Sequence, residues 1–426
     1  MKISKIMVLC IVMVLICKHE VLAQDTLKIT IEQAEKQFLE KNLQLLAEHY
    51  NIDIADAAVA QAKLLNNPTI SVNDINFWHS NAAEELGVPP NFGNKIAFSA
   101  QLEQIFRTAG KRRKFVDVQK VSKEMAVQEF EAFLLGLKTE LQTILNEIIY
   151  LQSYADIIHT QLKSVDNLIE SYKKQTLSGN IAKGELLRLQ SSLIELDAEN
   201  NDVQTELNRQ YKDIKVLLNI TDATKIFISD TNSTAKNPDE ISLMNLLETA
   251  KNLRPEFLLS DLGVRYHEKL LRYEKAQRSP DLGINLNYDR YGGVWKNFFG
   301  IGISVDIPVF NRNQGNIKIA KLQLQQSNYN AEQQKNRILQ DIVEIYDKYK
   351  MNYNFYKKLV DNDFSEDMDN MMEVYSRNFL NRNISMLEFI DFMSSYKTTK
   401  QAILTAKKNL DNSFAELQFS INSIIN

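Results

Sequence analysis

The chain has 426 residues, 44% of them hydrophobic and 24% charged, with a formal charge of -4. A mean hydropathy of -0.30 and the lack of any apolar run of about 20 residues exclude a chain that crosses a membrane repeatedly as helices, but not one that crosses as strands. The small negative charge argues against a general nucleic-acid surface, and five His and two Cys leave few ligands for a metal enzyme.

At the N-terminus, Lys2 and Lys5 precede an apolar stretch from Ile6 to Ile16, followed by Val21-Leu22-Ala23-Gln24. This is the pattern of a secretory signal peptide over 1–23. The apolar stretch is short for a membrane anchor. Lipidation at Cys17 is a rival reading, although Ile16 is not the small residue usual before an acylated cysteine. Cys10 and Cys17 both lie in 1–23, so an exported chain would carry no thiol, neither disulfide nor Cys-bound metal.

Period-two alternation predicts a first hairpin. Ile70 and Val72, then Ile75 and Phe77 after an irregularity at Asn73-Asp74, make a strand near 69–78 with a bulge. Ile96, Phe98, Ala100 and Leu102 make a second near 94–106, after a long polar loop from His79 to Gly93. From Lys111 to Leu177 there is no Pro and only Gly136, which permits a long helix. Apolar residues recur there in steps of three and four from Leu134 through Leu141, Ile148, Ala155, Leu162 and Ile169 to Tyr172, a heptad seam. Ser178-Gly179-Asn180 then predicts a tight turn into another helix, and Thr221 to Glu240 is a polar connector in which Lys225 to Ser229 suits a short strand.

A second hairpin comes next. Leu282, Ile284, Leu286 and Tyr288 alternate with small or polar residues over 281–290, and Phe299, Ile301, Ile303, Val305 and Ile307 do so over 298–308, joined by a turn from Tyr291 to Asn297. From Asn316 onwards there is neither Gly nor Pro. Ile338, Ile342, Ile345, Tyr349, Tyr353, Tyr356 and Val360 recur at about 3.67 residues per step, the period of a straight or slightly right-handed packing. An uninterrupted helix from near Asn316 to near Arg377 would approach roughly 90 Å, so the expected molecule is a rod rather than a globule.

The chain repeats itself. At an offset of 203, Tyr172 meets Tyr375, Leu177 meets Leu380, Asn180 meets Asn383, Ile181 meets Ile384 and Glu185 meets Glu388. At an offset of 212, Asn67-Pro68 meets Ser279-Pro280. The order helix, hairpin, long helix, tight turn, long helix thus occurs twice, over 24–230 and 231–426. Each half supplies two hairpin strands, and four strands cannot close a barrel. Aromatics near the ends of strands about ten residues long fit outer-membrane barrels, while a soluble hairpin packed on one side fits the same pattern. In lipid, unpaired edges are not allowed. Several chains would then have to share a barrel, and three chains of four strands would give 12.

These residues resemble the TolC family of outer-membrane efflux proteins over nearly the whole expected mature chain. Pro308-Val309-Phe310-Asn311-Arg312-Asn313-Gln314-Gly315 is similar to the strand-to-helix junction of the branch serving cobalt-zinc-cadmium and copper efflux, with Pro308, Phe310 and Gly315 as its marked positions. Gln104 to Lys111, including Phe106 and Gly110, is the first-repeat counterpart, and Arg254-Pro255-Glu256 resembles the start of the family's second half. The resemblance implies a mainly α fold with a small β part: a homotrimeric channel-tunnel with a shared 12-stranded β-barrel in the outer membrane and long coiled-coil helices in the periplasm. It implies a passive export duct rather than an enzyme, with no cofactor. Its partners would be outer-membrane lipid, a periplasmic adaptor (membrane fusion) protein and an inner-membrane transporter of the RND type, with no nucleic acid.

The resemblance also places adaptor docking at the helix-turn-helix tips, around Leu177, Gly179, Asn180, Ile181 and Glu185 and around Leu380, Asn383, Ile384 and Glu388. Leu177, Ile181, Leu380 and Ile384 are the expected contacts, whereas Gly179, Asn180 and Asn383 also suit the turn sterically. Before the second tip an acidic run (Asp361, Asp363, Glu366, Asp367, Asp369, Glu373) would form rings of charge under threefold symmetry, or a solvated helix face. Asp367, Asp369 and Glu373 are the gate candidates, with Tyr375 and Arg377 as partners. Met368, Met371, Met372, Met386 and Met393 read as core filling rather than soft-metal ligands. His49, His79, His159 and His267 show no ligand spacing, so no fixed metal site is expected. Lys111-Arg112-Arg113-Lys114 reads as a basic collar near lipid headgroups or as a solvated run. The expected function is an efflux duct for heavy-metal cations. The alternatives are a duct for drugs or secreted polypeptides, and a soluble periplasmic coiled-coil scaffold.

Overall fold

A computed structural model describes residues 26–76, 97–229, 235–290, 295, 297–361 and 364–425. The expected signal peptide, Phe77, and positions 94–96 of the first hairpin fall outside the described residues. The elements in chain order are β1 (Thr26–Ile29), α1 (Ile31–Lys41), α2 (Leu43–Ala62), β2 (Thr69–Asn76), β3 (Ala97–Phe106), α3 (Lys111–Leu177), α4 (Lys183–Leu217), β4 (Lys225–Ile228), α5 (Leu243–Leu253), α6 (Pro255–Ala276), β5 (Leu282–Arg290), β6 (Asn297–Val305), α7 (Gln314–Val360), α8 (Phe364–Leu380) and α9 (Met386–Ser420). Two compact units cut across the sequence repeat, since each takes segments from both halves.

The first unit takes residues 1–44, 136–241 and 345–419. The heptad residues Leu137, Leu141, Ile144, Ile148, Leu151, Ile158, Val165, Ile169 and Tyr172 of α3 are buried. Leu189, Leu196, Val203 and Leu207 of α4 are buried too, largely at steps of seven, as a helix seam requires. At one end of this unit β1 and β4 pair in parallel, Ile29 beside Ile228. The short strand at Lys225 was legible in the sequence; its partner Thr26–Ile29 was not. Thr30 then starts α1 with a capping box, its hydroxyl accepting from Gln33 N while the Gln33 side chain accepts from Thr30 N.

The second unit takes residues 45–135, 242–344 and 420–426. Its centre is one antiparallel sheet in the order β2-β3-β5-β6, so the hairpins of the two repeats meet at β3 and β5. The expected bulge in β2 is present: the register shifts between Asn73 and Asn76, Asp74 has φ +56°, and Ser99 Oγ donates to its carboxylate at 2.8 Å.

Three expectations need correction. The last long helix is not continuous from Asn316 to Arg377: α7 stops at Val360, Asp361 lies in a turn, and α8 starts at Phe364. Asp361, a poor helix former, takes the turn, its N–H closing the last bond of α7 to Lys357 O at 2.9 Å. The last strand ends at Val305, not Pro308. Proline has no N–H for a ladder, and Val309 N bonds instead to Ile307 O at 2.9 Å. Lys111 is not part of a solvent-facing basic collar. It is 4% exposed and its ammonium contacts Asp281 at 2.7 Å.

That pair organises the junction between sheet and helix. One Asp281 oxygen accepts both from Lys111 Nζ and from Thr108 N at 2.9 Å, tying the end of β3 to the start of β5. The Lys111 side chain is buried while Asp281 keeps 32% of its own exposed, so removing the carboxylate leaves a buried ammonium without its counter-charge. Asp281→Ala is therefore expected to destabilise the chain by about 3 kcal/mol, and Asp281→Ala with Lys111→Met to recover most of that loss. Thermal unfolding of the three chains in detergent measures it, and equal stability of the single and double variants would contradict it.

Candidate functional site

In the sheet, alternation and register combine to sort side chains by face. Ile70, Leu102, Leu286 and Ile301 form one straight row across all four strands. Val72, Ala100, Tyr288 and Phe299 form the next, and Gln104, Ile284 and Ile303 extend the same face. Ile70, Val72, Leu102, Ile284, Leu286, Phe299, Ile301 and Ile303 are exposed.

The other face is polar or small in its middle rows, Thr69, Glu103, Asn285 and Gly302 in one and Ser71, Gln101, Asn287 and Gly300 in the next, with Ile105 and Phe298 as apolar residues towards its two ends. Glycines leave the room into which neighbouring polar side chains fold on this face. A Cβ at Gly302 would sit 2.2 Å from Asn285 Oδ1, and one at Gly283 would sit 2.1 Å from Ser304 Oγ. The sheet therefore carries an exposed apolar face and a polar face. Among the described residues the outer edges of β2 and β6 have no paired strand. This is the pattern of a membrane-barrel segment.

At both junctions the chain enters its helix through a left-handed residue: Ala109 (φ +51°) and Gly110 (φ +66°) before α3, Asn313 (φ +55°) before α7. Asn313 Nδ2 donates to Glu274 O at 2.9 Å, fixing the second entry. Gly315 lies in the first turn of α7 with open space where a Cβ would be. Phe106 is exposed, and Phe310, two residues after Pro308, is 93% exposed.

The tips, in the first unit, repeat one geometry. Asn180 N bonds to Gln175 O and Gly179 N to Thr176 O; 203 positions on, Asn383 N bonds to Asn378 O and Arg382 N to Phe379 O. Both are Schellman motifs, and the left-handed position is Gly179 (φ +75°) in one and Arg382 (φ +61°) in the other. Arginine is unfavourable there, but its guanidinium donates to Gln175 Oε1 and to Asn180 O, joining the second tip to the first. The hairpins share a core in which Tyr172 stacks on Phe379 and Phe379 on Phe389, at 5.2 and 4.5 Å between centroids. Met372, Met386 and Met393 are buried in that core.

The predicted tip residues therefore separate into two groups. Leu177 is 90% exposed and Leu380 is exposed too, whereas Ile181 and Ile384 are half-buried against the shared core. Leu187 and Leu387, which the repeat pattern did not single out, are exposed near the starts of α4 and α9. Glu388 is a capping residue: it accepts from Ser385 N at 2.7 Å and from Ser385 Oγ at 2.8 Å. In the first tip, Ala182 replaces the serine and no side chain caps α4, so Glu185 has no equivalent bond to that position.

The gate candidates also divide. Asp369 accepts from Tyr396 Oη at 2.8 Å and from Lys400 Nζ at 2.6 Å. Burial first, then the Asp369 bond, push the Tyr396 hydroxyl well above its ordinary pKa, so it remains a donor. Glu373 and Arg377 form an exposed i,i+4 pair at 2.7 Å, and Asp367 is exposed. Tyr375 stacks on Phe392 with centroids 4.0 Å apart, a packing contact inside the hairpin. Among the described residues no cluster of three or more His, Cys, Asp or Glu is arranged to hold a metal ion, and no helix is long and apolar enough to cross a membrane.

No family model matches the chain. In structure it is similar to CusC, whose crystal structures concern folding and transmembrane channel formation, with a TM-score of 0.74 at 15% identity over 95% of this chain and 96% of that one. It is similar also to the outer-membrane channel OprN, TM-score 0.74 at 15% identity over 92% and 90%. The outer-membrane channel CmeC of Campylobacter jejuni gives 0.73 at 13% over 92% and 85%. The fold is that of the TolC-type outer-membrane channels. In sequence the chain is similar to the cobalt-zinc-cadmium resistance protein CzcC of Cupriavidus metallidurans, 21% identical over 295 residues. Those residues are 68% of this chain and 65% of that protein, so the likeness spans less than two thirds of the relative's length.

The second tip carries a titratable cap. The Ser385 N–H, then its hydroxyl, hold the Glu388 carboxyl below its ordinary pKa. A depressed carboxyl contributes stability that is complete above its unfolded value and is lost as pH falls through the folded one. Ser385→Ala removes the hydroxyl and keeps the backbone donor. The Glu388 midpoint in a carboxyl-carbon NMR titration is therefore expected to rise part of the way towards the ordinary value, and an unmoved midpoint would contradict the cap.

Proposed function

We propose that this chain is one protomer of a homotrimeric outer-membrane channel, a passive duct from periplasm to exterior in a tripartite efflux system, carrying heavy-metal cations. The observation that carries this reading is the four-stranded sheet, with one face apolar and exposed in register and, among the described residues, both edge strands without a paired strand. Such a sheet is stable in hydrocarbon only if neighbouring copies complete it, and three copies give an even strand number in the known range. A periplasmic adaptor, docking on Leu177 and Leu380 at the tips, and an RND-type inner-membrane transporter would supply selection and energy. The cation cargo is supported by the likeness to a cobalt-zinc-cadmium resistance protein and by the acidic residues of α8: Asp369 and Glu373 lie on one side of the helix and Asp367 on another, and those that face the axis would form a gate ring under threefold symmetry.

The membrane assignment predicts a strong difference between faces. Ile301→Arg, on the apolar face, is expected to cost about 2–4 kcal/mol in lipid and to block assembly. Asn287→Lys, on the polar face, is expected to assemble normally. The trimer mass in detergent and the heat-modifiable band on a gel read both, and equal assembly of the two variants would favour a soluble scaffold. For the gate, Asp367→Asn, Asp369→Asn and Glu373→Gln together are expected to lower cation preference and alter conductance in planar bilayers. Unchanged conductance and selectivity would remove the ring. Cells lacking the chain are expected to retain Zn²⁺ and Cd²⁺; retention of drugs or dyes alone would turn the cargo assignment to that alternative.

A further inference from the structure

The two bare edges of the sheet are not equivalent, and the segments that flank them fix how a neighbour arrives. The sheet is antiparallel throughout, so β2 and β6 run in opposite directions at its two ends. If the edge of β6 in one copy pairs with the edge of β2 in the next, continuing the antiparallel ladder, the residues just after Val305 of one copy land beside those just before Thr69 of the other.

Each of those segments has an unusual surface. After β6, Ile307, Val309 and Phe310 project as an exposed apolar prong held stiff by Pro308. Before β2 lies an open pocket of about 670 Å³ lined by Leu64, Leu65, Asn67, Arg107, Phe115 and Gln119. Leu64 and Leu65 are exposed at its rim, and the Phe115 ring is braced by Tyr273 at 5.3 Å. The pocket is large enough for an aromatic side chain; Leu64, Leu65 and Phe115 give it an apolar side, and the amides and Arg107 give it a polar one.

The flanking helices extend the match. Leu46, Tyr50 and Ile54 form an exposed stripe on α2, and Ile319, Leu322 and Tyr329 form one on α7. Ile54 lies 15 positions before the start of β2 and Ile319 lies 14 after the end of β6; Leu46 lies 23 before and Tyr329 lies 24 after. The two stripes therefore lie at similar distances along the chain from the strands that would pair. Their charges are complementary, with Asp53 exposed on the α2 stripe and Lys318 and Lys321 exposed on α7.

We infer that Phe310 of one copy fills the Leu64–Phe115 pocket of the next copy, head to tail, and that this contact locks the shared barrel at the level where strands become helices. The inference rests on the channel reading and adds the pair of surfaces that meet. Within one chain the contact is out of reach, because β2 and β6 are three strand spacings apart, about 14 Å, well beyond a disulfide's Cα separation.

The test uses the full chain with Cys10→Ala and Cys17→Ala, carrying Leu64→Cys and Phe310→Cys together or singly. Oxidation of outer-membrane vesicles is expected to give covalent dimers and trimers on non-reducing gels for the double variant and monomers for each single one. A double variant that is trimeric by native mass yet runs only as monomer after oxidation would overturn the contact and leave the channel reading intact. Monomer by native mass in detergent would overturn both. Cross-linking by Leu64→Cys alone would mean a two-fold contact and would likewise overturn the head-to-tail arrangement. Independently, Phe310→Ala is expected to lower the temperature at which the trimer dissociates in SDS, with Phe310→Leu retaining most of the resistance; equal resistance of wild type and Phe310→Ala would also count against it.

Discussion

Backbone hydrogen bonding at the edge of a sheet is the constraint on which the rest of the molecule depends. A strand with one bare ladder can be solvated in water, but not in hydrocarbon, where each unpaired N–H or C=O costs several kcal/mol. A sheet with one apolar face is content in hydrocarbon, but not in water. The β2-β3-β5-β6 sheet has both features, so it suits neither solvent alone. Completion of its edges by further copies resolves both problems together, and the proposed channel arises from the same residues that make the single chain look unfinished.

The duplicated architecture shows how one geometry is used for two purposes. Both tips close with the same pair of backbone bonds 203 positions apart. In the first tip the left-handed position is glycine, the unstrained choice; in the second it is Arg382, whose backbone cost is offset by bonds that hold the tips together. The second tip also gains the Ser385–Glu388 cap, where the first has Ala182. Repetition supplies the fold, and the departures from it decide how firmly each hairpin is held. Interlocked aromatics then make the two hairpins one packed body, so a movement of one tip must involve the other.

Much of the fold was legible because it rests on local periodicity. The heptad seam of α3, the alternation of all four strands, the bulge at Asp74 and the twin turns are consequences of spacing, and spacing is visible in a single sequence. The likeness in fold to outer-membrane channels agrees with the resemblance read from Pro308 to Gly315 and from the tips. Less legible were features that depend on partners distant in sequence. Lys111 reads as one of four exposed bases, yet Asp281, 170 positions away, draws it into a closed junction. Thr26 to Ile29 is too short to declare itself a strand without β4. The break between α7 and α8 was not legible, because the run from Asn316 has neither Gly nor Pro to mark it.

Sequence alone determined the element types, their duplicated order and the segregation of apolar from polar side chains along each strand, because these depend on neighbours within a few residues. Tertiary structure decided which residues of a motif are free to act. It turned Ile181, Ile384 and Tyr375 into packing groups, Glu388 into a cap and Asp369 into the acceptor of Tyr396 and Lys400, while leaving Leu177, Leu380 and Phe310 exposed. The physical reason is that exposure and hydrogen bonding are properties of what packs against a side chain, and those neighbours come from other segments of the chain, brought close only by folding.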